Sequence, residues 1–104
     1  MARVSWTSPA LQDLDEIADH IALEHAPAAR RLVQKIFERI DELADFPRLG
    51  PILDDLETDR YRQILEYPCR VIYRFDGENK IYILHVVRTE RFLKLERIEA
   101  RESL

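Results

Sequence analysis

Three short segments with the residue pattern of β-strands follow one another in the second half of the chain. They span residues 61–65, 70–75 and 81–88, are rich in Ile, Val, Leu and Tyr, and are each punctuated by arginine. The connections Tyr67-Pro68-Cys69 and Asp76–Asn79 are too short for the crossover that neighbouring parallel strands need. This spacing predicts a three-stranded antiparallel meander.

Two amphipathic helices are predicted before these strands. Apolar residues recur at three- and four-residue steps from Pro9 to about His25, and again from Pro27 to the residues before Phe46. Ser8 is the expected N-cap of the first helix, and the proline after Phe46 disfavours continued helix. Because only one or two residues separate the helices, we expect an antiparallel helical hairpin.

The ends of the chain complete the predicted fold. Arg3–Trp6 alternates like a short strand, Pro47 to Asp59 has the composition of a surface loop, and Thr89 can cap a last helix. The element order is therefore β-α-α-β-β-β-α. This is an α+β fold in which the N-terminal strand and the helical hairpin pack on one face of a small antiparallel sheet. At this length we expect residues 1–104 to form a single domain.

The turn between the last two strands predicts their pairing register. A hairpin centred on Gly77-Glu78 places the following residues opposite each other: Arg70 and His85, Ile72 and Ile83, Tyr73 and Tyr82, and Arg74 and Ile81.

This register divides the predicted sheet into two faces. The face that the helices cover consists of Val71, Tyr73, Phe75, Tyr82, Leu84 and Val86. The opposite face carries apolar residues beside Arg62, Arg70, Arg74 and His85, and we expect it to be a binding surface. In the alternative interpretation, these arginines are ordinary solvent-facing residues or partners of nearby acids, and His85 is a strand histidine without catalytic function.

Charge is distributed unevenly along the chain. Residues 1–59 contain 6 Lys and Arg against 13 Asp and Glu, a net charge of −7, while residues 60–104 contain 10 against 7, a net charge of +3. The basic half is therefore the predicted working surface. The overall charge of −4 opposes long-range attraction to a polyanion such as RNA or DNA.

Several kinds of chemistry lack their sequence signals. The single Cys69 excludes an internal disulfide and has no obvious base nearby, and two glycines are too few for a phosphate-binding loop. The three histidines show no metal-ligand spacing, and no apolar run reaches the length of a membrane span. We therefore expect a cytoplasmic protein without a metal, a cofactor or a membrane partner.

Five segments together resemble the ParE/RelE toxin superfamily of type II toxin–antitoxin systems. They are Val4–Thr7, Ala10–Ile17, Leu43–Gly50, Arg70–Arg74 and Val86–Arg91, and they occur in family order over nearly the whole chain. The resemblance implies a helical hairpin on a small antiparallel sheet. It also implies growth arrest by the free toxin and neutralisation by a cognate antitoxin that wraps over it.

The superfamily contains two functional branches. ParE-like toxins poison DNA gyrase, whereas RelE-like toxins cut messenger RNA in the ribosomal A site. Arg70 matches an arginine of the nuclease branch, but the loop from Gly50 to Asp59 contains no lysine, where RelE-like toxins place lysines. Thr89 stands where an arginine is expected, and no tyrosine follows in the last helix. The chain therefore resembles the ParE-like branch more closely, although Arg88 occupies a segment where ParE-like toxins often carry histidine.

These considerations lead to three functional hypotheses. In the first, the chain is a non-enzymatic gyrase poison that does not bind DNA by itself, and its surface for the target or the antitoxin consists of Arg62, Arg70, Arg74, His85, Arg88 and Arg91. In the second, the chain is a ribosome-dependent endonuclease in which Arg70 and Arg88 hold phosphate and His85 or a neighbour transfers protons. In the third, it binds an antitoxin but is not toxic.

Overall fold

The structure is a computed structural model that describes residues 1–102, so the last two residues of the predicted 1–104 domain lie outside the described residues. The elements are β1 (Arg3–Trp6), α1 (Ser8–Ala22), α2 (Ala26–Asp41), a 3-10 turn (Glu42–Ala44), β2 (Arg62–Glu66), β3 (Cys69–Phe75), β4 (Lys80–Arg88) and α3 (Leu95–Glu102). This order confirms the predicted α+β fold and its β-α-α-β-β-β-α succession.

The four strands form one open sheet in the order β1-β4-β3-β2. The antiparallel meander of β2, β3 and β4 is confirmed. The N-terminal strand was expected to pack on one face of an antiparallel sheet, but β1 is an edge strand of the sheet itself and lies parallel to β4, with Val4 opposite Ile81, so the complete sheet is mixed. A parallel neighbour is possible here because the whole helical hairpin connects β1 to the rest of the sheet.

The predicted register of β3 and β4 was wrong by one residue near the turn and by two further along. Phe75 pairs with Ile81, because Asp76 to Lys80 forms a longer turn than a two-residue hairpin at Gly77-Glu78. The Asp76 carboxylate accepts hydrogen bonds from three backbone N–H groups of this turn, and Gly77 has a φ of 87°. Beyond a bulge the observed pairs are Tyr73 with Ile83, Ile72 with His85, and Arg70 with Val87. Leu84 is the extra residue of the bulge.

The bulge also changes which residues of β4 face the helices. The helical hairpin and the sheet enclose a core that includes Val71, Tyr73 and Val86, with Phe75 packed against it, as predicted. Tyr82 and Leu84 were expected in the same core but belong to a second cluster. Ile81 and Ile83 take the helix-facing positions instead.

The helix boundaries differ slightly from prediction. Thr7, not Ser8, is the N-cap of α1: its hydroxyl accepts from the N–H of Ala10 at 3.3 Å and donates to the carbonyl of Ile83 at 2.8 Å. Residues 23–25 separate the two helices, and Nδ1 of His25 accepts from the N–H of Ala28 to cap α2. The hydroxyl of Thr7 thereby fastens the start of α1 to β4, which contributes to the site described below.

The second face of the sheet is covered, contrary to expectation. α3 begins at Leu95 rather than after Thr89, whose N–H bonds the carbonyl of Pro68. Ile98 of α3 and Leu53 of the loop before β2 are buried against this face. The cluster consists of Leu53, Tyr61, Ile72, Leu84 and Ile98. The predicted open sheet surface edged with arginine is therefore closed by the protein itself.

Candidate functional site

A basic cleft opens where the end of β4 meets α1 and the C-terminal segment. Its volume is about 470 Å³, and its lining is Asp13, Glu16, Ile17, His85, Val86, Val87, Arg88, Arg91, Phe92, Leu93, Lys94, Arg97 and Arg101. Five of these side chains are Lys or Arg and two are Asp or Glu, so the cleft is locally positive in an acidic protein. A turn at residues 89–90 separates Arg88 at the strand end from the segment that carries the other four cations, and both segments line the cleft.

His85 lies in this cleft and is held by α1. Its Nδ1 is 2.6 Å from Oδ2 of Asp13, and the same carboxylate accepts from the N–H of Val86 at 3.0 Å. Arg101 donates to both oxygens of Asp13, at 3.1 Å for the longer bond, and to the carbonyl of Leu84 at 2.8 Å. The network ties α1, β4 and α3 together.

The Asp13 carboxylate is ionised because of these contacts. Burial alone raises its pKa, but the hydrogen bonds from His85, Arg101 and the Val86 N–H outweigh burial and lower the pKa below its ordinary value. An ionised Asp13 accepts a hydrogen bond from the Nδ1–H of His85, which leaves Nε2 as the imidazole nitrogen available to other groups.

Arg70 is buried and forms an ion pair with Asp55 within the chain. Only 8% of the residue is exposed. Its guanidinium donates to Oδ2 of Asp55 at 3.0 Å, to the carbonyl of Arg91 at 2.8 Å and to the side-chain oxygen of Gln63 at 3.2 Å. Arg70 therefore joins the acidic loop, residues 50–59, to the segment after β4. Both of its terminal nitrogens are occupied by contacts within the chain, while its buried Nε has no hydrogen-bond partner among the described residues.

Arg62 and Arg74 lie in a different place from the basic cleft. They line a smaller depression of about 230 Å³ together with Arg48 and Arg60. Arg74 pairs with Glu102 at 2.7 Å, and Arg62 donates to the carbonyl of Gly50 at 2.8 Å. The six predicted interface residues are thus divided among two surfaces and the buried Arg70, and their expected convergence on one sheet face was wrong. The part that any of them takes in binding stays a prediction.

Arg88 and Arg91 are the predicted residues that the structure places in the cleft beside His85. Arg88 bonds the exposed Glu90 at 3.3 Å, a surface contact of small energetic value. The neighbouring Phe92 is 96% exposed. Cations and a protruding aromatic ring therefore lie together at the rim of the cleft.

The sequence interpretation missed Asp13, Lys94, Arg97 and Arg101 in this site. On sequence alone, Asp13 is one of several acids on the polar face of the first helix, and no local pattern indicates its long-range partners. The recurrence of cations at 94, 97 and 101, which matches helical spacing, was the one usable signal.

The last candidate group from the sequence, the Cys69 thiol, is free and buried. Burial raises the pKa of the Cys69 thiol, which keeps it protonated and unreactive at neutral pH. Among residues 1–102, no three His, Cys, Asp or Glu side chains are grouped to hold a metal ion. None of the helices in that range combines the length and apolar character that crossing a lipid bilayer requires.

Comparison with known proteins identifies the family. Residues 4–92 match the family model described as the ParE toxin of the type II toxin–antitoxin system parDE. The chain is 31% identical over 91 residues to Toxin RelE2 of Caulobacter vibrioides, covering 88% of this chain and 99% of that protein. It is 42% identical over 79 residues to the putative toxin Y4kP of Sinorhizobium fredii, covering 76% of this chain and 81% of that protein.

Solved structures agree with this result. The chain superposes on a protein of the chromosomal ParDE toxin–antitoxin system from P. aeruginosa with a TM-score of 0.71 and 32% identity, over 86% of this chain and 98% of that one. The RelBE2 toxin–antitoxin complex from Mycobacterium tuberculosis contains the same fold, with a TM-score of 0.57 and 24% identity over 84% of this chain and 96% of that one. The chain belongs to the ParE toxin family of type II toxin–antitoxin systems, within the ParE/RelE superfamily.

Proposed function

We propose that this toxin arrests growth in the cytoplasm by poisoning DNA gyrase, and that a cognate antitoxin neutralises it. The observation that carries the proposal is the state of Arg70. This residue matches an arginine of the nuclease branch, yet it is 8% exposed and its guanidinium is held by Asp55. It is therefore not available to neutralise a scissile phosphate.

The surroundings of Arg70 support a protein target over RNA. The loop that covers Arg70 contributes the carboxylate of Asp55. This carboxylate would repel a nearby phosphodiester and so opposes RNA binding. The exposed part of the site instead combines Arg88 and Arg91 with the exposed ring of Phe92. Arginine and aromatic side chains are the residues most often found at the energetic centre of protein interfaces.

Supercoiling by purified gyrase tests this proposal. We expect inhibition by micromolar toxin, and at least tenfold weaker inhibition by the R88E/R91E double variant. The R3E/R30E double variant changes net charge equally at two exposed residues outside the cleft and should inhibit within twofold of the wild type. Supercoiling that is unaffected by the wild-type toxin would contradict the proposal.

One observation favours ribosome-dependent cleavage of messenger RNA as a second candidate function. His85 lines the basic cleft, and Asp13 holds its Nδ1 so that Nε2 remains for proton transfer. Such a base, with Arg88 and Arg91 as cations, is part of what cleavage at a 2′-hydroxyl requires. Primer extension on translated messages tests it: A-site cuts that H85Q abolishes would support cleavage, and intact messages under wild-type induction would exclude it.

A further inference from the structure

The depression that Arg62 and Arg74 line is a second concentration of cations, separate from the basic cleft. It has a volume of about 230 Å³, and its lining is Arg48, Asp59, Arg60, Arg62, Arg74 and Phe75. The start of β2 and the end of β3 lie side by side here, because Arg62 pairs with Tyr73. None of the six lining residues also lines the basic cleft. The depression is therefore a distinct site, at the end of the β2–β3 hairpin that lies away from its turn.

Aromatic rings support three of the four guanidinium groups. The distances from Cζ to the ring centre are 4.9 Å for Arg48 over Phe75, 5.5 Å for Arg60 over Tyr61 and 5.2 Å for Arg74 over Tyr82. All three distances are within the roughly 6 Å at which a ring face attracts a cation. A guanidinium that lies over a ring keeps its N–H donors, which point outward in its own plane, and is held in position before a ligand arrives.

Two of the four arginines have hydrogen-bond donors without a protein partner. The guanidinium of Arg48 makes no hydrogen bond and no ion pair with any of residues 1–102. The guanidinium of Arg62 bonds the carbonyls of Arg48 and Gly50, at 3.4 and 2.8 Å, both through the same terminal nitrogen. Backbone carbonyls do not neutralise its charge. Arg48 and Arg62 therefore present cationic donors that no carboxylate of the described chain occupies.

The other two arginines already bind an oxyanion. The carboxylate of Glu102 accepts from Nη2 of Arg60 at 3.0 Å and from Nε of Arg74 at 2.7 Å, and Glu99 lies 4.0 Å from Arg60. With Asp59 of the lining included, four cations face three carboxylates, so the site is weakly positive in a chain of net charge −4. This balance favours one small anion at Arg48 and Arg62 over a long polyanion.

We propose that this depression binds the phosphate group of a small phosphate ester, with Arg48 and Arg62 as its main ligands. Guanidinium groups bind phosphate oxygens through paired N–H···O bonds, and a terminal phosphate carries nearly twice the charge of a carboxylate at pH 7. Pockets that enclose a whole small molecule usually measure roughly 300–1,000 Å³. The volume of this depression is smaller, so only the phosphate end of the ligand enters it. The proposal does not depend on gyrase as the target.

Titration with inorganic pyrophosphate, followed by NMR of the arginine Nε–H groups, tests this site. We expect saturable shifts of the Arg48 and Arg62 signals and no shift at Arg30, which is exposed on α2. R48E should weaken binding roughly tenfold, because it reverses the charge of a direct ligand. The matched R30E variant has the same net charge and should bind within twofold of the wild type. Circular dichroism verifies that both variants are folded; Arg62 is left intact because it also bonds Gly50.

Four outcomes would overturn the proposal. The first is the absence of saturable shifts at millimolar pyrophosphate. The second is equal affinity of R48E and R30E, since Arg48 would then not be a ligand. The third is equally tight binding of malonate, which would make the depression a general carboxylate site. The fourth is binding of a single-stranded DNA oligonucleotide that is tighter than that of pyrophosphate and is weakened by R48E, which would make the depression a nucleic-acid contact.

Discussion

Removing the charge of Asp13 should destabilise the whole protein, because this carboxylate joins three elements. Asp13→Asn keeps the shape of the side chain but weakens its bonds with His85, Val86 N–H and Arg101. Hydrogen bonds to a charged group contribute about 1.5–3 kcal/mol, and breaking a buried ion pair costs about 3–5 kcal/mol. Because the side chains of Asp13 and Arg101 are 16% and 20% exposed, we expect a loss of about 2–4 kcal/mol.

The assay is urea unfolding followed by circular dichroism at pH 7, with Asp15→Asn as the matched control. Asp15 is exposed on the same helix, so its substitution should change the free energy of unfolding by less than about 0.5 kcal/mol. A loss of about 3 kcal/mol corresponds to a fall in Tm of roughly 10–20 °C for a domain of this size. Equal stabilities of the two variants would refute the argument that the Asp13 network holds the cleft together.

The pH dependence of this difference provides an independent check. The folded-state pKa of Asp13 is lowered, so its stabilising contribution is complete above its unfolded pKa of about 3.9 and is lost as pH falls through the folded value. The stability gap between wild type and Asp13→Asn should therefore be constant above about pH 5 and shrink below about pH 4. A gap that is unchanged at pH 3 would contradict the assignment.

Three further substitutions test the framework around the site. Gly50→Ala should cost more than about 3 kcal/mol in urea unfolding, because its Cβ would lie 2.3 Å from the carbonyl oxygen of Gln63, which the β2 backbone holds in place; unfolding at the wild-type urea midpoint would contradict this. Tyr73→Phe removes hydrogen bonds to Pro47 O and from Gly50 N, and should lower stability by about 1–3 kcal/mol; a neutral effect would show that water replaces both bonds. Ile98→Ala should cost about 2–4 kcal/mol and loosen α3, as hydrogen exchange of that helix would report; unchanged protection would mean that α3 is held by its ion pairs alone.

Local patterns were enough to predict most of the fold. The helical stripes, the short connections between strands and the positions of proline each depend on neighbours in sequence, and the element order followed from them. The register of β3 and β4 did not, because the Asp76 turn is longer than the Gly77-Glu78 pattern suggests and because a bulge at Leu84 has no sequence marker. Because the turn was misplaced, the prediction assigned Leu84 to the face of the sheet that the helices cover, which is the wrong face.

The candidate site was predicted less well, because its members depend on long-range contacts. Arg70 and Arg74 were expected on an open surface, but α3 and the acidic loop cover that face and supply Glu102 and Asp55 as partners. Alternation along a strand indicates which side a residue faces, but not what a later segment places over it. His85, Arg88 and Arg91 were found because they occupy one strand end and the turn that follows it.

The most direct test of the central claim is induction of the toxin without its antitoxin, followed by two measurements on the same cells. The account predicts growth arrest with covalent gyrase–DNA complexes and with translated messages that remain intact by primer extension. Message cuts at the ribosomal A site without gyrase–DNA complexes would contradict it in favour of cleavage. Unimpaired growth would contradict both and identify the chain as a non-toxic antitoxin-binding protein.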